Sequence, residues 1–372
     1  MFCHWIESEE PLARAARVAV EEVLRVKEQE KVLILTNPNR EVGLIALAVY
    51  DAVLNTGGRP ALMFQQEKSQ FDFAEDAVIE ALSSEPDVVI LLSKLKLGKD
   101  KKRIKKPFMT NGKKFDHIFS YLLEGVKRIR SFYSPGITRE IFIKTVPVDY
   151  KKMKSHCMVV KQLLDEAEEI NITTALGTDI TIGARNRTTH TDDGDFSTPG
   201  TGGNLPAGEA FISPELGSAF GTIVFDGSMD IHDRVLIPVN PITVRVEGGF
   251  VTEIVGGEEA DKLAETIRLA EEKALSMEEE GRLSEGEGKE YAKNARNLGE
   301  LGIGLNPSAE IVGNMLVDEK VFKTCHIALG SNYDRDARSL IHLDGLIRLP
   351  TIKTTDSTGK RITIMKDGEL VL

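Results

Sequence analysis

Three short apolar runs separated by helical patterns constrain the fold of this chain more than any other feature of its sequence. "KVLILT" (31–36), "RPALMF" (59–64) and "PDVVILLS" (86–93) read as strands of a buried sheet. A helical stretch from about Val42 to Leu54, stopped by "NTGG", and a second in "FAEDAVIEALSS" separate them. Another helical pattern precedes the first strand: Leu12, Ala16, Val20, Val23 and Leu24, after Pro11 in a first-turn position. The order βαβαβ predicts a doubly wound parallel sheet. The turn after the first strand, "NPNREVG", is neither GxGxxG nor GxxxxGK[ST], so nucleotide binding gains no support. Fold alone does not assign function.

The second half changes character. "DYKKMKSHCMVVKQLLDEAEE" predicts a helix that bridges two domains, 1–145 and 146–372. "INITTALGTDITIGA", "TIVFDGSM", "ITVRVEGGFVTEIVGG" and "RITIMKDGELVL" carry strand and hairpin signals with Asp-Gly and Gly-Gly turns. A charged helical region, roughly 258–295, interrupts them and is broken near "EEGRLSEGEGKE". The predicted fold class is α/β: a doubly wound N-terminal domain plus a β-rich α+β C-terminal domain.

Composition excludes several classes. With 41% hydrophobic and 28% charged residues and no apolar run near 18 residues, no transmembrane helix is expected. The N-terminus "MFCHWIESEE" lacks the pattern of a secretory signal. Cys3, Cys157 and Cys325 lie far apart, which predicts a reducing cytoplasm and no disulfide framework or zinc-thiolate site. A net charge of −11 argues against nucleic-acid partners. The basic stretch "KLKLGKDKKRIKKPFMTNGKK" (94–114) reads as a solvated loop.

The chemistry concentrates near the C-terminus. Only seven residues are histidine, and two fall in "CHIALGSNYDRDARSLIHLD". His342 and Asp344, two apart, share one face of an extended strand and suit a common metal. His326 has small alternate neighbours in Thr324 and Ala328. Glu209 in "NLPAGEAFISP" and Glu300 in "NLGELGIGLNP" are lone acids in apolar surroundings, costly unless paired or bound to a cation. "HTDDGDFSTPGTGGN" (190–204) lacks the register of a calcium loop and reads as a mobile loop leading into Glu209. No HExxH or GxSxG motif is present.

"NLPAGEAFISP", "GELGIGLNP", "HIALGSNY" and "IHLD" together resemble the M29 aminopeptidases, the thermophilic metalloprotease family. The resemblance implies a homodimeric metallo-aminopeptidase acting on peptides with a free N-terminus. It implies metal ligation by Glu209, Glu300, His326, His342 and Asp344, with Glu300 or Asp344 bridging two divalent ions (zinc, cobalt or manganese). Tyr333 and Glu209 would be catalytic, the tyrosine donating to a developing oxyanion. A related branch contains iron-dependent ring-opening dioxygenases of dihydroxypyridines with the same two-His-one-Asp set. In that reading His326, His342 and Asp344 form a triad on one iron(II). A third reading is a non-catalytic metal-containing protein.

Overall fold

The computed structural model describes residues 10–69, 71–232 and 234–371. Cys3 and most of the N-terminal segment weighed as a signal lie outside the described residues. Two compact units emerge: Met1–Lys154 with Asp192–Ala207, and Ser155–Thr191 with Gly208–Leu372.

The first unit is built on five parallel strands in the order Gly202–Asn204, Arg130–Tyr133, Val88–Leu92, Lys31–Thr36, Arg59–Phe64. The apolar runs are continuous because the central strands bury both faces. Leu33, Leu35, Val89 and Leu91 pack with Val78 and Leu82 of the helix Asp76–Ser83. Val32, Ile34 and Ile90 are buried as well. The helix Arg40–Asn55 starts where Asn39 accepts a hydrogen bond from the Glu41 amide.

Three segments differ from their sequence reading. The helix Tyr150–Asp165 stops short of "EAEE", and Ala167–Thr173 is a strand. Its apolar residues, Ala167, Ile170 and Ile172, are buried at a strand edge and centre where pairing with Thr351–Asp356 overrides helical propensity. The basic segment 94–114 carries a short helix, Lys101–Lys105, capped by Asp100, and a hairpin of Phe108–Thr110 with Lys113–Phe115. Segment 190–204 is not a free loop. It holds the strands His190–Asp192 and Gly202–Asn204, and its acids serve local structure. Asp192 accepts from the Asn204 amide at 3.0 Å, Asp193 from the Asp195 amide, and Asp195 pairs with Lys154 at 2.6 Å.

The second unit holds an eight-stranded and a seven-stranded sheet, with the charged region forming helices Gly257–Glu279 and Glu287–Asn294. Adjacent antiparallel strands of the seven-stranded sheet position the site: His342–Arg348, Thr324–Gly330, Leu298–Gly304 and Glu209–Ile212. Among the described residues no helix is long and apolar enough to cross a membrane.

Candidate metal centre

Strand register brings the sequence candidates together. Glu300 lies opposite Ala328, which lies opposite Asp344; Gly302 lies opposite His326; Glu209 lies opposite Gly304. The small residues Gly302, Gly304 and Ala328 alternate with the functional ones, so one sheet face has a hollow rimmed by carboxylates and imidazoles. Two overlapping groups result, Glu209–Glu300–His326 and Glu300–His342–Asp344, each with ligand atoms within 4.8 Å of one another. Glu300 joins them. Its Oε1 is 3.1 Å from His326 Nε2 and its Oε2 is 3.4 Å from His342 Nε2, which is itself 3.5 Å from Asp344 Oδ1.

The centre is buried: His326, Glu300, Glu209 and Asp344 are nearly sealed from solvent, and His342 forms the more open side. Electrostatics follow from that burial. Burial alone would lower the His326 imidazole, but hydrogen bonding and charge from Glu300, with Asp344 and Glu209, raise it to about 9. His342 is likewise raised, against burial, by Asp344 and Glu300. Burial would lift Asp344, yet His342, His326 and Lys320 hold it down at about 2. Burial pushes Glu209 up despite Lys320 and His326.

The donor set fits a divalent cation. Glu209 Oε2, Glu300 Oε2 and Asp344 Oδ1 are buried and carry no hydrogen bond. Such atoms are costly unless a cation satisfies them. Two imidazoles with carboxylates suit iron, zinc or manganese, and a bound ion would displace the imidazole protons.

Tyr333 stands at the mouth of the centre, 55% exposed, with its ring edge-on to His342 at 5.7 Å. It packs on Phe211 at 4.9 Å, and Phe211 stacks on His190 at 5.4 Å. These three rings make an aromatic wall beside the carboxylates. Phe211 goes unnamed in the sequence reading, although its place two residues beyond Glu209 on one strand face is a signal that could have found it. His190 had no such signal, and neither had Lys320, whose ammonium lies 2.5 Å from Glu209 Oε1.

A family model described as "NicX: 2,5-dihydroxypyridine 5,6-dioxygenase" matches residues 137–327, just over half of the chain. The chain belongs to the 2,5-dihydroxypyridine 5,6-dioxygenase family. A 2,5-dihydroxypyridine 5,6-dioxygenase of Pseudomonas putida KT2440 is 28% identical over 133 residues, 35% of this chain. The chain spans 36% of the length of that curated relative. Two solved structures share the fold over nearly the whole chain. A 2,5-dihydroxypyridine dioxygenase from Pseudomonas putida KT2440 has a TM-score of 0.69 at 17% identity, covering 97% of this chain and 96% of its own. Wild-type AmpT from Thermus thermophilus has 0.64 at 16% identity, covering 98% of this chain and 99% of its own.

Family membership corrects one expectation. The reading as a metallo-aminopeptidase, a hydrolase of peptide bonds, is overturned, because the matched family and its relative are named as dioxygenases. The physical reason is that histidines and carboxylates of this kind specify a metal-binding hollow. They do not choose between water and dioxygen as its reactant.

Proposed function

We propose that this protein is a dioxygenase that opens the ring of 2,5-dihydroxypyridine, or a close hydroxylated pyridine, at a single iron(II). One observation carries this reading: a buried two-histidine, carboxylate centre lies at the foot of an aromatic wall. His326, His342 and Asp344 would hold the ion, with Glu300 between the two imidazoles. When bound, iron(II) supplies the electrons that activate dioxygen and the open positions for both reactants.

The chain's own residues do the rest. Phe211 and Tyr333 present ring faces and edges to a flat aromatic substrate, in the offset and edge-on arrangements that aromatic pairs favour. Ser331 holds the His342 ring through its Nδ1, so Nε2 stays aimed at the carboxylates. The burial of Glu300 and Asp344 excludes water from the side away from the substrate.

The experiment is oxygen uptake. Protein reconstituted with ferrous iron under anaerobic conditions should, on admitting air, consume one dioxygen for each 2,5-dihydroxypyridine lost, with the ring absorbance disappearing. Iron-loaded, folded protein that consumes no oxygen with this substrate or its hydroxylated analogues would exclude the reading.

A further inference from the structure

We infer that Arg187 is a positioning residue: it ties down the loop between the two histidine-bearing strands and so holds the Tyr333 ring beside His342. The inference rests on the reading that Tyr333 borders the substrate, and it names what keeps the ring there.

The loop 331–341 joins the strands Thr324–Gly330 and His342–Arg348. Its base is closed by the Ser331 amide, which donates to the Ile341 carbonyl at 2.9 Å. One step further out, the Asn332 amide donates to the Ala337 carbonyl at 3.1 Å, and the Ala337 amide donates to Asn332 Oδ1 at 3.1 Å. Tyr333, Asp334, Arg335 and Asp336 form the tip beyond that closure. The returning limb is anchored to the helix Glu287–Asn294, where the Asn294 side chain donates to the Arg338 carbonyl at 3.1 Å.

The tip itself is held by a cation. Arg187 Nη1 lies 3.0 Å from Asp334 Oδ2 and 2.8 Å from Asp336 Oδ2. The arginine side chain is only 11% exposed, so solvent screens these pairs less than surface ones. Asp336 accepts at its other oxygen from the Asn332 side chain at 2.5 Å, so the ion pair and the turn share one carboxylate. Burial would raise the Asp336 carboxyl, but Asn332 and Arg187 hold it below the usual carboxylate range. Without the guanidinium, two like charges would flank Arg335, whose backbone is left-handed at φ 63°. Such a conformation persists only where its surroundings over-determine it.

Arg187 is itself fixed. It sits in the turn between the strands Asp179–Gly183 and His190–Asp192, with its amide donating to the Ala184 carbonyl at 3.2 Å. The same segment supplies His190, which stacks on Phe211. One piece of chain therefore supports the aromatic wall twice: His190 packs on Phe211, and Arg187 holds the loop that brings Tyr333 against it.

The test reads the Tyr333 ring directly. Protein labelled with fluorotyrosine is compared by fluorine NMR, the Tyr333 line being the one lost in Tyr333→Phe. Ring currents from Phe211 and His342 should displace this line in the wild type. In Arg187→Met it should move to the position of a solvent-exposed fluorotyrosine, with metal content unchanged. Arg187→Lys should restore the wild-type position, because one nitrogen serves both carboxylates and a point charge can stand in for it. In the oxygen-uptake assay, Arg187→Met should raise KM by about 10-fold, the scale of a lost aromatic pair. It should add nothing further in a Tyr333→Ala background, since both changes act through one ring. An unmoved line in folded Arg187→Met, or additive effects of the two substitutions, overturns the inference. Protein that turns over no hydroxylated pyridine overturns the proposed function, and the fluorine line alone then decides the clamp. Should Arg187→Met fail to fold, Asp334→Ala decides. It removes one ion pair from the loop side, leaves the Asn332 bond to Asp336, and should move the line in the same direction; an unmoved line there overturns the inference.

Discussion

The Nδ1 atom of His342 lies 2.8 Å from the carbonyl oxygen of Ser331. A carbonyl only accepts, so Nδ1 carries the hydrogen and Nε2 is the atom that faces Glu300 and Asp344. The bond fixes both the tautomer and the ring orientation. His342→Ala should lower metal affinity by at least about 100-fold, with the circular dichroism spectrum unchanged because the side chain sits on the open side of the centre. Elemental analysis after dialysis measures this. Wild-type metal retention in that variant would remove His342 from the ligand set.

Gly302 faces His326 across the strand pair, and a Cβ at this position would run into the imidazole. Gly302→Ala should push the ring off its place in the hollow and lower metal affinity by about 10–100-fold, the scale for losing a ligand's support. Isothermal titration with Zn2+ or Mn2+ reads it. Unchanged affinity would mean that the sheet relaxes around the methyl group or that His326 is not a ligand.

Tyr333 touches Phe211 and His342 through its ring, while its hydroxyl is a separate feature. If the ring is the working part, Tyr333→Ala should raise KM for the pyridine substrate by about 10-fold, the scale of a lost aromatic pair. Tyr333→Phe should leave KM and metal content near wild type. A kcat lowered by about 10²–10³ in Tyr333→Phe, with metal retained, would instead assign the hydroxyl a role in the reaction.

The first unit carries its own pH dependence. Arg130, nearly buried, pairs with Glu30 at 2.5 Å and also donates to the Leu24 and Arg25 carbonyls. Burial pushes the Glu30 carboxyl up, but Arg130 and the Lys27 amide outweigh it and hold the pKa below the usual range. A lowered carboxylate pKa stabilises the fold above the unfolded value of about 4.3 and ceases to do so as pH falls through the folded value. Glu30→Gln should therefore cost about 3 kcal/mol near pH 7, because it leaves Arg130 buried without its counter-charge. The cost should shrink toward pH 3, as the wild type protonates. Chemical denaturation at both pH values measures it. Equal losses at pH 7 and pH 3 would show that the pair contributes packing and not charge.

Much of this architecture was legible because its signals are local. Buried parallel strands are apolar on both faces, so "KVLILT" and "PDVVILLS" declared themselves without neighbours. A strand alternates its side chains, so His342 and Asp344 had to share a face once their segment was extended. The misread pieces were those where a long-range partner decided. "EAEE" has helical propensity but meets a waiting strand edge at Thr351–Asp356. Segment 190–204 reads as a mobile loop, but most of its acids hold amides and a lysine nearby in space.

By itself, then, the sequence determined the strands, their faces and the residue types able to hold a metal, because each follows from a repeat along one stretch of chain. Only the tertiary structure decided which of those residues meet. Register places Ala328 between Glu300 and Asp344, and Gly302 under His326. It also sets Lys320 against Glu209, 111 residues earlier in the chain. No local periodicity encodes an ion pair of that separation. It exists because two carboxylates and one ammonium share a buried space in which none of them could be stable alone.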